Sequence, residues 1–408
     1  MRILKVNKYF RPKGGSETVF FQQKELLEGK GYDVVPFSMK EDFSLQSKYS
    51  EYFVDNVNYE AGGFKSKISN AIKVLYSFDA KKKLEELLLK ERIDIAHFHI
   101  FQHQISPSVF DVLDKNHIPK VLTLHDLKPF CPNYRMYSNG KVCEKCKGGK
   151  FINCTLNKCN DNSLFKSLVN TVEMYLHYKL KYYQNVDAYI AVSEFYRNKA
   201  IEFGVPEEKV FLIRNSVDLD SYELNLNSDE YFLYFGRLSE EKGLESLIKT
   251  FTELPNSKLV IAGDGPQKDA LHVLVGNLGL ENVEFKGFVN GDELIDLIAN
   301  ARSTIVPSVW YENCPMSIIE SLALGTPVIG SDIGGIPEML VSKKWAFAPM
   351  NQNELKTCIN DMQELDLNNY KALRVKSREF AENNFDKTKQ IYQLEEVYKF
   401  VLEKNYEC

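Results

Sequence analysis

Tyr231-Phe232-Leu233-Tyr234-Phe235 is an unbroken apolar run that passes directly into Gly236-Arg237-Leu238-Ser239-Glu240-Glu241-Lys242-Gly243, after which a helical pattern opens at Leu244. A buried strand, a glycine-bounded turn and a helix make one β-loop-α unit. Repeats of that unit build a parallel sheet with helices on its faces. Upstream, strands are expected at Ile3 to Val6, Asp33 to Ser38, Ile95 to His99, Lys120 to Leu124, Ala188 to Val192 and Val210 to Ile213. Downstream they are expected at Lys258 to Ala262, Val283 to Phe285, Ser303 to Val306 and Pro327 to Gly330. The stretch Ser216 to Asp229 is rich in Asn, Asp and Ser, lacks apolar periodicity and reads as a linker. The expected class is therefore α/β, with one domain over 1–216 and a second over 217–386. A terminal helix over 387–408 follows, where Ile391, Leu394, Val397, Tyr398 and Val401 recur at helical spacing.

At 408 residues the chain is long enough for two domains, each with its own core. A net charge of -5 argues against nucleic acid as a partner. Met1 to Val6 enters directly as a strand rather than as a signal peptide, and no apolar run approaches the length of a membrane span. The expected location is cytoplasmic, or peripheral to the inner face of the cell membrane. In that compartment the eight cysteines are expected to be reduced thiols or metal ligands.

Open α/β sheets bind ligands beyond the carboxyl ends of their strands, so the residues there carry the functional reading. Gly236 permits close backbone approach, and Arg237 and Lys242 place two cations able to neutralise a diphosphate. The plain alternative pairs both cations with Glu240 and Glu241 on a solvated turn. Gly263-Asp264-Gly265-Pro266 is another tight turn, and Gly287-Phe288-Val289 offers backbone to a nucleobase edge. Further on, Tyr311-Glu312-Asn313-Cys314-Pro315-Met316-Ser317-Ile318-Ile319-Glu320 carries two carboxylates. Eight helical steps would hold them about 12 Å apart, so Glu312 is expected before a helix and Glu320 on it, with Pro315 in the first turn. The unpaired amides of Cys314, Met316 and Ser317 would then offer an anion site between two acids, an arrangement suited to a nucleotide sugar. In the first half, Gly14-Gly15-Ser16-Glu17 opens a helix with Ser16 as the expected N-cap, and lacks both the dinucleotide fingerprint and the P-loop lysine pattern. His125, after the strand ending at Leu124, could hydrogen-bond a sugar or assist proton movement. His97, His99 and His103 read as packing or edge residues.

These pieces, with Thr123-Leu124-His125-Asp126, Val192-Ser193-Glu194 and Arg214-Asn215-Ser216-Val217-Asp218, resemble the retaining glycosyltransferases of family 4 in order and spacing from about Met1 to about Lys387. The resemblance implies a GT-B fold: two Rossmann-like, doubly wound parallel-sheet domains facing a cleft, with the terminal helix crossing back to the first. It implies that Arg237 and Lys242 bind the donor diphosphate and that Glu320 binds the ribose. Glu312 would contact the donor sugar, His125 would sit beside it, and the turn at Gly14 and Gly15 would close on the phosphates. The implied reaction moves a sugar, with retention, from a UDP- or GDP-type donor to a hydroxyl on a sugar or lipid-linked sugar, in polysaccharide or glycolipid biosynthesis. No catalytic metal is implied. Asn313 and Cys314 replace the family's usual glycine and aromatic, and Ser216 stands where glycine is common. A GT-B sugar-nucleotide epimerase and a non-catalytic sugar-nucleotide-binding module are the alternatives.

Five cysteines fall in one insert over 131–159: Cys131, Cys143, Cys146, Cys154 and Cys159. Cys143-x2-Cys146 is a common spacing for two zinc thiolates, and a structural zinc is expected on Cys131, Cys143, Cys146 and Cys154, with Cys159 as the competing ligand. Between Leu164 and Tyr183, basic residues alternate with apolar and aromatic ones. That stretch reads first as an ordinary docking helix and second as a peripheral membrane contact.

Overall fold

A computed structural model describes residues 1–56 and 71–406 of the chain. The chain divides into two compact units, one made of Met1–Asn139, Cys143–Ile213 and Ile391–Cys408, the other of Gly140–Val142 and Arg214–Gln390. The break falls three residues before the expected linker, and the terminal helix changes unit at Ile391 rather than at Lys387.

The first unit holds a six-stranded, all-parallel sheet: β1 (Arg2–Val6), β2 (Asp33–Phe37), β3 (Ile95–Phe98), β4 (Lys120–Leu124), β5 (Ala188–Ala191) and β6 (Val210–Leu212). Their order is β2-β1-β3-β4-β5-β6. The order reverses between β1 and β3, which pair in register from Ile3 with Ile95 to Val6 with Phe98. Helices α1 (Gly15–Gly29), α2 (Phe78–Leu88), α3 (Ser108–Lys115), α4 (Ile152–Leu156), α5 (Leu164–Lys179) and α6 (Glu194–Glu202) lie between or beside these strands in sequence. Ile3, Ile95, Val121 and Ile190 share one core with Ile391, Leu394, Val397 and Val401. The periodic stripe of the terminal helix is thus spent covering this sheet.

The second unit repeats the plan with β7 (Tyr231–Phe235), β8 (Lys258–Ala262), β9 (Val283–Gly287), β10 (Ser303–Val306), β11 (Val328–Ser331) and β12 (Ala346–Phe347). Their order is β9-β8-β7-β10-β11-β12, again all parallel. Its helices are α7 (Leu244–Thr250), α8 (Lys268–Leu278), α9 (Gly291–Ala299), α10 (Met316–Ala323), α11 (Gln352–Gln363) and α12 (Leu367–Asn384), and α13 (Lys387–Tyr406) ends the described chain.

The unbroken apolar run of β7 has a direct cause. Phe232 and Tyr234 enter one core with Leu259, Ile261 and Ile305, while Leu233 and Phe235 enter another with Val260 and Ala262. A strand buried on both faces has no polar side to alternate with. Truncating fully buried Phe232 to alanine should cost about 3–5 kcal/mol. The sequence reading missed β12, whose two residues on the sheet edge are too few to show a period.

Candidate active site

In the second unit the strand order reverses between β7 and β10, so the loops after those strands flank the crevice that open α/β sheets use for ligands. The loop after β7 is 236–243 and the loop after β10 is 307–315. They are tied together where Val309 N donates to Glu241 O at 2.9 Å. Gly243 makes the approach possible: it sits at φ 72°, and a Cβ there would collide with the Pro307 carbonyl.

That approach brings Lys242 to Glu312. Lys242 Nζ lies 2.6 Å from Glu312 Oε1, and the same oxygen accepts from Ser308 Oγ at 2.6 Å and Trp310 Nε1 at 2.8 Å. Burial alone would raise the Glu312 carboxyl, but the Lys242 charge and these donors hold it below the usual range. Glu312 is therefore a fixed carboxylate. Its backbone is pinned too: Gly335 N donates to Glu312 O at 2.8 Å, and a Cβ on Gly334 would strike Glu312 N and O.

The plain expectation that Arg237 and Lys242 pair with Glu240 and Glu241 does not hold. Glu241 accepts from Ser239 Oγ at 2.8 Å, Lys242 is committed to Glu312, and exposed Arg237 makes no ion pair among the described residues. Around them, Gly236 N donates to Ala262 O at 3.0 Å and Gly263 N to Gly287 O at 2.6 Å, lacing the starts of three loops into one edge. Gly265 stands at the same edge, where Leu238 N donates to Asp264 O at 2.9 Å. Phe288, beside them in sequence, is 71% exposed.

Helix α10 begins at Met316, so Pro315 is its N-cap rather than a residue of its first turn. The cap bond is Ile318 N to Pro315 O at 3.1 Å, so the Met316 and Ser317 amides precede the intrahelical ladder. Asn313 lies before this turn, half-buried. Cys314 is buried, its thiol is pushed up to about 12 by that burial, and its carbonyl accepts from Asn215 Nδ2 at 3.0 Å. Cys314 therefore contributes packing and backbone rather than a nucleophile. On the helix, burial raises the Glu320 carboxyl to about 7. The two acids of the Glu312-x7-Glu320 pair thus differ: one is held ionised and the other sits near neutrality.

In the first unit, Gly14 is the N-cap of α1 and Gly15 its first residue. Ser16 is not the cap; it lies inside the first turn, where its hydroxyl donates to Glu17 Oε2 at 3.1 Å. The switch between β1 and β3 carries a buried relay. Lys5 Nζ bonds Gln23 Oε1 at 2.9 Å and His99 Nε2 at 2.7 Å, and His99 Nδ1 lies 2.8 Å from His125 Nε2. Burial, with Lys5 adding to it, holds His125 down to about 3, so it is neutral at any ordinary pH. Burial also pushes Lys5 well below the usual lysine range, and the neighbouring Asp126 up to about 6. His97 bonds Tyr398 OH at 2.7 Å and Thr123 Oγ1 at 2.8 Å, as a packing residue does. His99 departs from the expectation by linking Lys5 to His125.

All five insert cysteines line one small cavity of about 10 Å³. Burial pushes Cys131 up to about 11 and Cys146 up to about 12, and a hydrogen bond with Cys154 lowers Cys159. The donors are therefore gathered, yet among the described residues no three His, Cys, Asp or Glu side chains form a group able to hold a metal ion. Ser308, Trp310, Gly334, Gly335, Lys5 and Gln23 were missed by sequence reasoning. The first two follow the end of β10 and the glycines follow β11, so the strand-end rule that found Gly236 also pointed to them.

Two sheets of six parallel strands, each with its loops gathered at a switch point, define a protein of two Rossmann-like domains, and the solved structures it resembles give that class the GT-B fold. Sucrose-phosphate synthase from Thermosynechococcus elongatus matches with a TM-score of 0.74 at 19% identity, covering 99% of both chains. HepE of Anabaena, solved with UDP and glucose, matches with a TM-score of 0.68 at 19% identity, covering 98% of this chain and 99% of that one. The chain belongs to Glycosyltransferase Family 4, whose pattern matches residues 13–221, and residues 218–383 match Glycosyl transferases group 1.

An uncharacterized glycosyltransferase of Methanocaldococcus jannaschii is 35% identical over 175 residues, covering 38% of this chain and 44% of the relative. The putative colanic acid biosynthesis glycosyltransferase WcaL of Escherichia coli is 25% identical over 237 residues, 53% of this chain and 58% of the relative. The match thus spans about half the length of these two relatives. An uncharacterized 42.6 kDa protein in the cps region of Klebsiella pneumoniae is 25% identical over 356 residues, 83% of this chain and 87% of its own. Among the described residues no helix is long and apolar enough to cross a membrane.

Proposed function

We propose that this chain is a retaining glycosyltransferase that moves a sugar from a UDP- or GDP-type donor to a hydroxyl of a sugar or lipid-linked sugar, in polysaccharide or glycolipid assembly. One observation carries the reading: the edge of the second sheet gathers an open arginine, a lysine clamped to an ionised acid, a helix start and a near-neutral acid. Nucleoside diphosphate chemistry matches each of these. Lys242 has three donor hydrogens and Glu312 takes one, leaving two for phosphate oxygens. Arg237 and the Met316 and Ser317 amides add positive potential. Glu320, near neutrality, both donates to and accepts from ribose hydroxyls.

In the reaction the bond from the anomeric carbon to the diphosphate oxygen breaks and the diphosphate keeps the electron pair. The acceptor oxygen bonds that carbon from the same face, and its proton passes to the departing diphosphate. The residues that matter most are those that stabilise charge growing on the leaving group, Arg237 and Lys242.

His125 acts on this reading as a fixed donor rather than a base. Lys5 is a donor to Gln23 Oε1, and with its next hydrogen it donates to His99 Nε2. His99 then carries its proton on Nδ1 and donates to His125 Nε2, which leaves the His125 proton on Nδ1.

For the cysteine insert the proposal is a structural zinc that would draw four of its five thiols together: they line one cavity but do not stand in a ligating group without the ion. Incubating the protein with UDP- and GDP-sugars tests the main reading. Slow release of nucleoside diphosphate is expected in water and faster release with acceptor, whereas an isomerised sugar nucleotide would mark an epimerase and binding without turnover a non-catalytic module.

A further inference from the structure

Helix α5 is inside out. Its buried residues are Ser167, Asn170, Thr171, Glu173, Met174 and His177. All but Met174 are polar, and they are bonded inward: Glu173 Oε2 meets Lys128 Nζ at 2.6 Å, Asn170 Nδ2 donates to Pro132 O at 3.2 Å, and Thr171 Oγ1 donates to Phe151 O at 3.2 Å. The outward stripe is Leu164, Phe165, Leu168, Val172 and Tyr175, each more than 40% exposed. A helix that simply docks on its own domain buries its apolar stripe, so the expected docking-helix reading fails on this face. Helix α4 extends the patch with Ile152 and with Leu156, which is 71% exposed, and Ile152 N donates to Tyr175 OH at 3.2 Å, tying the two helices together. Single exposed apolar residues mean little, but seven on adjoining helices form a surface that needs a partner.

The charge around the patch selects that partner. From Lys145 to Lys181 the chain has seven lysines against two acidic residues, one of which is the buried Glu173, in a protein of net charge -5. Lys145, Lys150, Lys158, Lys179 and Lys181 are exposed and make no ion pair among the described residues. Apolar side chains rimmed by cations match a bilayer surface, where acyl chains lie beneath anionic headgroups. A second copy of this chain fits worse, because a two-fold interface would bring the lysine rim against itself.

We propose that α4 and α5 form a docking face for a membrane surface rich in anionic lipid, lying in the headgroup plane with Leu156, Leu164, Leu168 and Val172 inserted and the lysines on phosphates. The test is co-sedimentation of the full chain with phosphatidylcholine vesicles, with and without phosphatidylglycerol. Binding to the mixed vesicles is expected at about tenfold or more over phosphatidylcholine alone, and it should weaken as salt is raised. The double variant Leu168→Glu, Val172→Glu should lose binding at unchanged Tm, since both side chains are exposed. The triple variant Lys145→Glu, Lys150→Glu, Lys158→Glu should lose the preference for the anionic lipid. The proposal is overturned if wild type stays in the supernatant with mixed vesicles, or if both variants sediment as wild type does. It is overturned equally by a solution dimer that Val172→Glu converts to monomer, which would mean that a second copy covers the face.

Discussion

The two sheet edges solve the placing of polar groups in opposite ways. At the edge of the second sheet the chemistry is ionic and reaches solvent: Arg237 is exposed and unpaired among the described residues, and Lys242 is a quarter exposed while holding a carboxylate. At the edge of the first sheet it is buried and held far toward neutrality, with Lys5, His99 and His125 in one hydrogen-bonded row. Ionic groups suit a ligand whose charge grows during reaction. A row of neutral imidazoles suits a hydroxyl that must be oriented without being ionised. The contrast turns on solvation, because burial without a counter-charge depresses a lysine or histidine, whereas Glu312 keeps its charge only by virtue of its three donors.

The ionic edge should break hardest. Arg237→Ala is expected to lower transfer by about 10² to 10³-fold with no change in Tm, since the side chain is exposed. Lys242→Ala should lower the rate similarly and also cost about 3–5 kcal/mol of stability, because it leaves Glu312 charged and buried. Adding Glu312→Gln to Lys242→Ala should recover much of that stability but none of the rate. Near-normal rates in both single variants would remove the diphosphate assignment.

Glu320 gives a pH signature. Its folded pKa of about 7 lies above the value near 4.5 of an unfolded chain, so the folded state binds the extra proton. Stability should therefore be highest below pH 4.5 as far as this group is concerned, and should fall by about 3 kcal/mol as pH rises to about 7. Glu320→Gln should flatten that fall in urea titrations, and Glu320→Ala should weaken donor affinity more than it lowers turnover.

The neutral edge should respond more gently. His125→Gln keeps an N–H donor and should retain part of the activity that His125→Leu loses. Lys5→Met should leave His125 in place but free its tautomer, which nitrogen chemical shifts of the imidazole would report. If His125 carries its proton on Nε2 in the wild type, the direction assigned to the row is wrong. The cysteine insert carries the smallest expected effect on rate: elemental analysis of protein purified without chelator should find about one zinc per chain, and zinc-free protein of equal stability would leave the cavity a thiol-lined core.

The sheets were legible in the chain because both-face burial writes itself as runs such as Tyr231–Phe235 and Lys258–Ala262; the strand ends then pointed to Gly236 and His125, and the spacing to Glu320 pointed to Glu312. Long-range partners were not legible. Nothing local marks Ser308 and Trp310 as donors to Glu312, or Lys5 as a partner of His99, because these contacts depend on which strands become neighbours. Helix α5 was ambiguous for a related reason: its mix of basic, apolar and aromatic residues does not say which side faces inward.

Calorimetric titration of UDP and GDP into the wild type, Arg237→Ala and Glu320→Ala tests the central claim most directly. One of the two nucleotides should bind the wild type, and each substitution should weaken it by at least about tenfold. Equal affinity in all three proteins would contradict a diphosphate and ribose site at the edge of the second sheet.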